Sequence, residues 1–439
     1  MNSPTRTAAP AAATDRQELI EAALAPVIAE AGAAGSTVVL LVDGDREVLV
    51  ERGGPGAALR YYQLGSLSKF VTAVGCLALH GAGRLDLDHP LETVGAFVPR
   101  YLGHPVPLTP RHILHHLAGL NVGSVPGYPR ADPVPDLPAI LQGHGRSPRL
   151  AFTGLPTGRV VYSSGGFALL QLELERRHGS AVPVLDAVTD AVPGFKVRQD
   201  LPGTTPAPDL AQGFIHAAIP VPYGSLHYPE TLAGGLWARP GDLMNLLTGL
   251  GAHLRGGGGT VGQRIREDLL SLRFHQRMAM SVLVDQDSAG RTFYHHQGFS
   301  AGFTTEFVSY PHEDVHVVAM TSAAVTPPEL RGVVKQAVAA SSVGATASAA
   351  ARDRLLGPPA RPGEDDTPST GSYAGDSLTI EVTGEDATVR TRGGYEAVLR
   401  RTADGAYGVP DRPHPRCVVD AQRLRFDDGT RLYKLARLP

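Results

Sequence analysis

Ser66-Leu67-Ser68-Lys69 carries the most chemistry in this chain. It stands at the head of a helix-like run over residues 66–80. A serine in the first turn and a lysine three positions on share one helix face, about one turn apart. The amine is then within reach of the hydroxyl. The hydroxyl also lies at the positive end of the helix dipole, where an oxyanion is favoured. This is the S-x-x-K spacing of a nucleophilic serine activated by a lysine. The same four residues fit an ordinary surface helix cap, so the decision rests on partners elsewhere in the chain.

A serine hydroxyl that attacks a carbonyl needs a base, a proton relay to the leaving group and donors for the oxyanion. Lys69 is a base only when neutral, so its ordinary pKa near ~10.4 must fall by about 3 units, at a cost of ~4 kcal/mol. Burial and a helix N-terminus both push that way. Tyr162-Ser163-Ser164 heads a second helix, after Gly158. A tyrosine whose phenol hydrogen-bonds a lysine shuttles a proton, although a tyrosine there also serves as packing at a core edge. His296-Gln297-Gly298 ends a predicted strand. An edge strand beside the nucleophile offers a backbone N–H, that of Phe299, as a second oxyanion donor beside the Ser66 N–H. His296 would polarise the site or bind a substrate carbonyl or carboxylate.

The elements that hold these residues are read from periodicity. Thr14-Asp15-Arg16-Gln17 has capping-box spacing, and Leu19, Ile20, Ala23, Leu24, Val27 and Ile28 repeat at helical period behind it. Apolar β-branched runs at 37–42 and 47–51 flank Asp43-Gly44-Asp45, a hairpin signal. Residues 85–275 are rich in Pro and Gly, with helices expected at 110–117, 164–177 and 240–250. Strand character returns at 280–284, 292–296, 304–310 and 315–321, and a helix follows at 327–339 with proline in its first turn. Strands at both ends of this region with helices between them imply an α/β (α+β) domain. It would hold one antiparallel sheet built from both ends, flanked by helices, plus a helical subdomain.

The expected organisation is a flexible tail at 1–13, the main domain at 14–352 and a Pro-, Gly- and acid-rich linker at 353–370. A small antiparallel β module, lipocalin-like, would close the chain at 371–439. Its strands are read at 377–382, 387–392, 396–401, 418–419 and 424–426. With 439 residues, 42% hydrophobic, 19% charged and net charge −3, the chain reads as globular. It has no basic run for nucleic acid. Met1 to Ala13 lacks a basic n-region and an apolar h-region, and no stretch of ~18 apolar residues spans a bilayer. The expectation is a cytoplasmic protein without a membrane partner. Cys76 reads as small core filler; it could pair with Cys417, but two cysteines make no disulfide framework.

Three other patterns are decoys. Gly298-Phe299-Ser300-Ala301-Gly302 matches the G-x-S-x-G elbow, but strand-like residues follow where a helix is required. His112, His115 and His116 lack the glutamate of H-E-x-x-H, because Ile113 follows His112, and read as a structural set. Gly256 to Gly259 lack the lysine of a phosphate loop. No metal and no cofactor is expected.

S-x-x-K, Y-S-x and H-x-G, in that order and about 100–130 residues apart, resemble the three motifs of the penicillin-recognising serine enzymes. The likeness is to the branch of class C β-lactamases, D,D-peptidases and esterases. It extends to Tyr62-Gln63-Leu64-Gly65-Ser66, to the segment from Gly83 to Leu91, to the segment from Leu108 to Leu120, and to Ala233-Gly234-Gly235-Leu236-Trp237. The resemblance implies Ser66 as nucleophile, Lys69 as base, Tyr162 as proton relay and leaving-group acid, and His296 as stabiliser. Ser66, Ser164, Gly298 and Phe299 would serve the oxyanion and substrate. Two departures argue against a dedicated β-lactamase. Ser164 stands where the family commonly has Asn, and His296, mostly neutral at pH 7, where it often has Lys.

The chain is also similar to stand-alone penicillin-binding-protein-type thioesterases of nonribosomal peptide pathways. That implies a peptidyl thioester or ester substrate, carrier-protein-bound in the fullest version, transferred to Ser66 and released by the peptide's own amine. A tethered amine reaches effective molarities of ~10⁵–10⁸ M. The competing readings are an esterase or D-stereospecific peptidase that admits water, and a catalytically inert binding protein. Residue types alone do not separate them, and they say nothing of oligomeric state.

Overall fold

The computed structural model describes residues 13–31, 34–154, 160–199, 203–204, 207–215, 219–257, 262–263, 267–268, 278–287 and 289–345. It also describes eight short segments beyond 370. Residues 1–12 of the tail expected at 1–13, the linker at 353–370 and Gly258 and Gly259 lie outside these, and Ala13 begins the first helix. The chain divides into two compact units, 1–352 and 353–439.

The first unit is built on a seven-stranded antiparallel sheet. Its first strand, Thr37–Asp43, pairs on one side with Arg46–Arg52 and on the other with Val315–Thr321, the last strand of the sheet. The order continues through Phe303–Tyr310, Thr292–Ser300, Val282–Gln286 and Met278–Ala279. The two ends of the domain therefore meet in one sheet, as expected from the strand distribution. Alternate residues of Thr37–Asp43 enter different cores. Val38 and Leu40 face the nucleophile helix, Leu67–Gly81, and the helix Pro240–Leu254. Val39 and Leu41 face the helices Ala13–Ala31 and Pro327–Ala340. A strand covered on both faces reads as a continuous apolar run, which is what 37–42 is.

Three differences from the expected elements bear on the site. The strand expected at 280–284 is two strands, because Met280 (φ 45°) and Ser281 (φ 60°) form a two-residue turn between Ala279 and Val282. Neither residue is the Gly or Asn that announces such a turn. The helix expected at 110–117 stops at Leu114, because His116 takes a left-handed conformation (φ 56°). The strand expected to end at 296 runs on to Ser300. Ser300 pairs with Phe303 across the two-residue turn Ala301-Gly302, so the G-x-S-x-G segment is a hairpin and not a nucleophile elbow.

The second unit is a closed barrel of eight antiparallel strands. Gly371–Ala374 pairs with both Leu378–Thr383 and Leu432–Arg437, which completes the ring. Three of the eight, Gly371–Ala374, Tyr407–Gly408 and Leu432–Arg437, were not expected from the sequence. Closure removes the exposed edge that a five-stranded sheet would leave. Among the described residues no helix is long and apolar enough to cross a membrane.

Candidate active site

Ser66 sits at the N-cap position of Leu67–Gly81, but its side chain makes no capping hydrogen bond. The helix-cap alternative for S-x-x-K is therefore excluded. Within residues 61–79 Ser66 alone is not fully buried. Its hydroxyl accepts instead from Lys69 Nζ at 3.3 Å, and Tyr162 hydrogen-bonds it as well. Its N–H, in the first turn, has no intrahelical acceptor.

Lys69 is 1% exposed. A five-residue π-helical turn, Thr231–Gly235, is stitched along the same helix face. Thr72 Oγ1 donates to Leu232 O at 2.9 Å, Lys69 Nζ to Ala233 O at 2.7 Å, and Leu236 N to Ser68 Oγ at 3.1 Å. Two short strands, Tyr62–Gln63 and Leu236–Ala238, pair across this junction and hold it in register. Burial pushes the Lys69 amine down to about 7, against the charge of Glu230, which works upward. Near neutral pH a large share of the amine is then the free base the chemistry requires, and desolvation produces the shift.

Tyr162 precedes Ser163, whose hydroxyl caps the helix Ser164–His178 by accepting from Gly166 N at 3.0 Å. The Lys69 amine lies 5.1 Å from the centre of the Tyr162 ring. Burial raises the phenol to about 12, with the hydrogen bond to Ser66 opposing. The Tyr162 ring also stacks on His116, centroids 4.3 Å apart at 25°. His116 Nδ1 accepts from Ser163 N at 3.1 Å. Ser281 Oγ donates to Leu114 O at 3.1 Å, so it accepts from His116 Nε2 at 3.3 Å. These bonds assign a neutral imidazole with its proton on Nε2. Burial and Lys69 hold its pKa well below the ordinary value. The strained turn at Met280 and Ser281 thus anchors the histidine that supports Tyr162.

His296 lies on the site-facing side of Thr292–Ser300, its ring centre 6.4 Å from that of Tyr162. Burial first, and then Lys69, push its pKa down to about 3, so it is neutral. Pairing with Val282–Gln286 covers only residues 292–295, so the strand from His296 onward has an edge without a strand partner. The hairpin closes on the Ser300–Phe303 pair, and ladder alternation makes Phe299–Thr304 a non-hydrogen-bonded pair. The N–H and C=O of Phe299 therefore point away from that strand, toward Gly65. A Cβ on Gly65 (φ 51°) would lie 2.7 Å from Phe299 N, and one on Gly298 would lie 1.9 Å from Leu64 O. The two glycines allow the strand to approach the helix head this closely. Ser164, by contrast, is 1% exposed, and its hydroxyl donates to Gly123 O at 3.0 Å.

Gly298→Ala is expected to reduce turnover by ~10²–10³-fold, the loss typical of a displaced oxyanion donor. Steady-state kinetics on a simple ester, with melting temperature measured in parallel, checks it. Wild-type turnover in a folded variant would refute the close-approach argument.

Of the residues expected at the site, Ser66, Lys69, Tyr162, His296, Gly298 and Phe299 come together. Ser164 is adjacent with its hydroxyl engaged. The sequence reading missed three contributors: His116 beneath Tyr162, the Ala233 carbonyl on Lys69, and Glu230. Only the Ala233-Gly234-Gly235-Leu236-Trp237 match pointed toward the second. Among the described residues no group of three or more His, Cys, Asp or Glu could hold a metal ion.

A family model described as Beta-lactamase matches residues 20–341. The chain belongs to the beta-lactamase family. This beta-lactamase-family chain is also similar in fold to SurE, at 16% identity and TM-score 0.60, over 97% of this chain and 100% of that one. It is similar to the octameric penicillin-binding protein homologue from Pyrococcus abyssi, at 18% identity and TM-score 0.58, over 94% of each chain. It is similar as well to the D-amino acid amidase from Ochrobactrum anthropi SV3, at 18% and 0.58, over 74% of this chain and 98% of that one. A comparison with curated proteins finds no match. As a member of the beta-lactamase family the chain falls among serine hydrolases and acyltransferases.

Proposed function

We propose that this chain transfers a peptidyl group from a thioester or ester onto Ser66 and releases it by attack of the peptide's own amine. The observation that carries the acylation half is the Lys69 amine, brought to about 7 and hydrogen-bonded to a serine hydroxyl that caps nothing. Lys69 takes the Ser66 proton as Oγ attacks the carbonyl. Tyr162, raised to about 12, stays a neutral phenol and relays the proton to the leaving group. The N–H groups of Ser66 and Phe299 stabilise the oxyanion, and neutral His296 lines the site as a polar stabiliser. The C–S bond breaks as the C–Oγ bond forms, and the proton leaves on the thiol. A thiolate is a good leaving group, so a phenol is acid enough for the relay.

In the second half the amine nitrogen attacks the ester carbonyl, the C–N bond forms and the C–Oγ bond breaks. The amine's proton returns to Ser66 Oγ through Lys69 and Tyr162. A carrier protein would deliver the thioester. Two features argue against a β-lactam substrate. Neutral His296 supplies no cation for its carboxylate, and the Ser164 hydroxyl is held by Gly123 O. A structure of SurE with D-Leu matches 97% of this chain, and D-amino acid amidase with D-phenylalanine matches 74%. Both support a D-configured residue at the acylated end.

The second reading, release to water by an esterase or D-stereospecific peptidase, is favoured by the amidase likeness. A synthetic peptidyl thioester ending in a D-residue separates the two. The expected main product is the cyclic peptide. Linear acid as sole product, with simple esters cleaved as fast, would establish hydrolysis instead. The inert-protein alternative has no support in a buried, neutralised lysine, which costs stability and gains nothing without chemistry.

A further inference from the structure

Glu230 is a buried carboxyl to which the acyl-transfer reading gives no task. It is 1% exposed, and neither carboxylate oxygen has a hydrogen-bond partner on another residue. It lines a small cavity of about 10 Å³ walled by Val122, Val125, Ile140 and Leu150, together with Ser147, whose hydroxyl is also unpartnered. An ionised carboxylate without donors is costly in such surroundings. Glu230 also begins the turn that holds Lys69. Its carbonyl accepts from Ala233 N at 2.9 Å and Gly234 N at 3.0 Å, and the Ala233 carbonyl accepts from Lys69 Nζ at 2.7 Å.

The titratable groups facing Glu230 are few. Lys69 faces it from the nucleophile helix, and His227 and Tyr228 from the segment leading into the turn. The helix Ser164–His178 presents Gly165 and Ala168 to the cavity. Its Gln171 side chain binds Pro229 O and Leu232 N, which fixes the turn without adding charge. Burial pushes the Glu230 carboxyl up, opposed by its own backbone N–H and then by His227 and Lys69, and a charged Glu230 raises the Lys69 amine.

We propose that Glu230 is a positioning residue for Lys69: the buried carboxyl and the amine, joined through the turn Thr231–Gly235, hold one proton between them. With the proton on Glu230, Lys69 is a free base and Ser66 can be activated. With the proton on Lys69, the pair is ionic and Lys69 is an ammonium that cannot accept the Ser66 proton. The net charge is the same in both forms. The O–H bond of the acid breaks as the N–H bond of the ammonium forms, with the electron pair left on the carboxylate. This inference rests on Lys69 acting as the base for Ser66.

Glu230→Gln keeps the shape and cannot ionise, so it locks the arrangement that favours neutral Lys69. The rate of Ser66 labelling by a fluorophosphonate, followed by intact mass between pH 5 and 9, is expected to reach half its maximum about one pH unit lower in the variant than in wild type. A purely structural role would lower the melting temperature without moving that midpoint. Coincident profiles in two folded proteins would overturn the proposal. If wild-type Ser66 is not labelled at any pH, the acyl-transfer reading itself fails. Should Glu230→Gln not fold, wild-type protein carrying ε-¹³C-lysine decides. Two steps in the Lys69 titration are expected, and a single step would overturn the coupling.

Discussion

Ser66→Ala is expected to lose about 10⁴–10⁶-fold in turnover of any ester or thioester, and to form no covalent adduct, while folding as well as wild type. The size of the loss follows from removing the atom that forms the acyl bond. What survives is the oxyanion donors and the bound geometry, which alone retain a modest advantage over water. The structural expectation is the sharper one. Replacing a serine that caps a helix costs roughly 0.5–2 kcal/mol. Ser66 occupies the N-cap position without capping, so its loss should leave melting unchanged to within about 0.5 kcal/mol. Treating both proteins with a fluorophosphonate, digesting and mapping the adduct gives the chemical answer, and a thermal melt the other. An adduct at another residue that persists in Ser66→Ala would move the nucleophile. A large loss of stability would mean that the hydroxyl caps the helix after all.

The parts of this architecture written in local patterns were legible. The strand Thr37–Asp43 is apolar at every face because both faces are covered, and the helix Leu67–Gly81 announces itself by a largely apolar run of fifteen residues without proline. The first two motifs were legible because each lies at a helix head, where side-chain type and backbone geometry coincide, and the third because it lies on a strand of apolar, aromatic character. What was hidden is what depends on long-range pairing. Tyr62–Gln63 and Leu236–Ala238 are too short to show any period, yet their pairing brings the Ala233 carbonyl to Lys69. The turn at Met280 and Ser281 uses residues that disfavour positive φ, so no turn rule marks it. His116 read as structural, and its bonds to Ser163 and Ser281 are those of a structural histidine. Only the stacked Tyr162 ring ties it to the site. In the barrel, Tyr407–Gly408 pairs over two residues, and closure by Gly371–Ala374 is visible only once the strands are paired.

Lys69→Met should fall by about 10³–10⁴-fold in the acylation rate, and it should also lose the pH dependence that the lysine confers. In wild type the active form is the neutral amine. Acylation is therefore expected to rise with pH through about 7 and then level off. The methionine protein has no amine to titrate, so its residual rate should lack that limb. Stability should move the other way. The amine falls from 10.5 unfolded to about 7 folded, so between those values the unfolded chain binds the extra proton. Burying the lysine thus costs about 4 kcal/mol at pH 7, a cost that fades as pH rises toward 10.5. Methionine removes it but leaves the Ala233 carbonyl without its donor, which returns about 1–3 kcal/mol. A net gain of about 1–3 kcal/mol at pH 7, shrinking as pH approaches 10, is the expected result in urea unfolding. An inactive variant that is less stable than wild type at pH 7 would mean that Lys69 sits there as a structural cation. The neutral base, and with it the acyl-transfer mechanism, would then have to be abandoned.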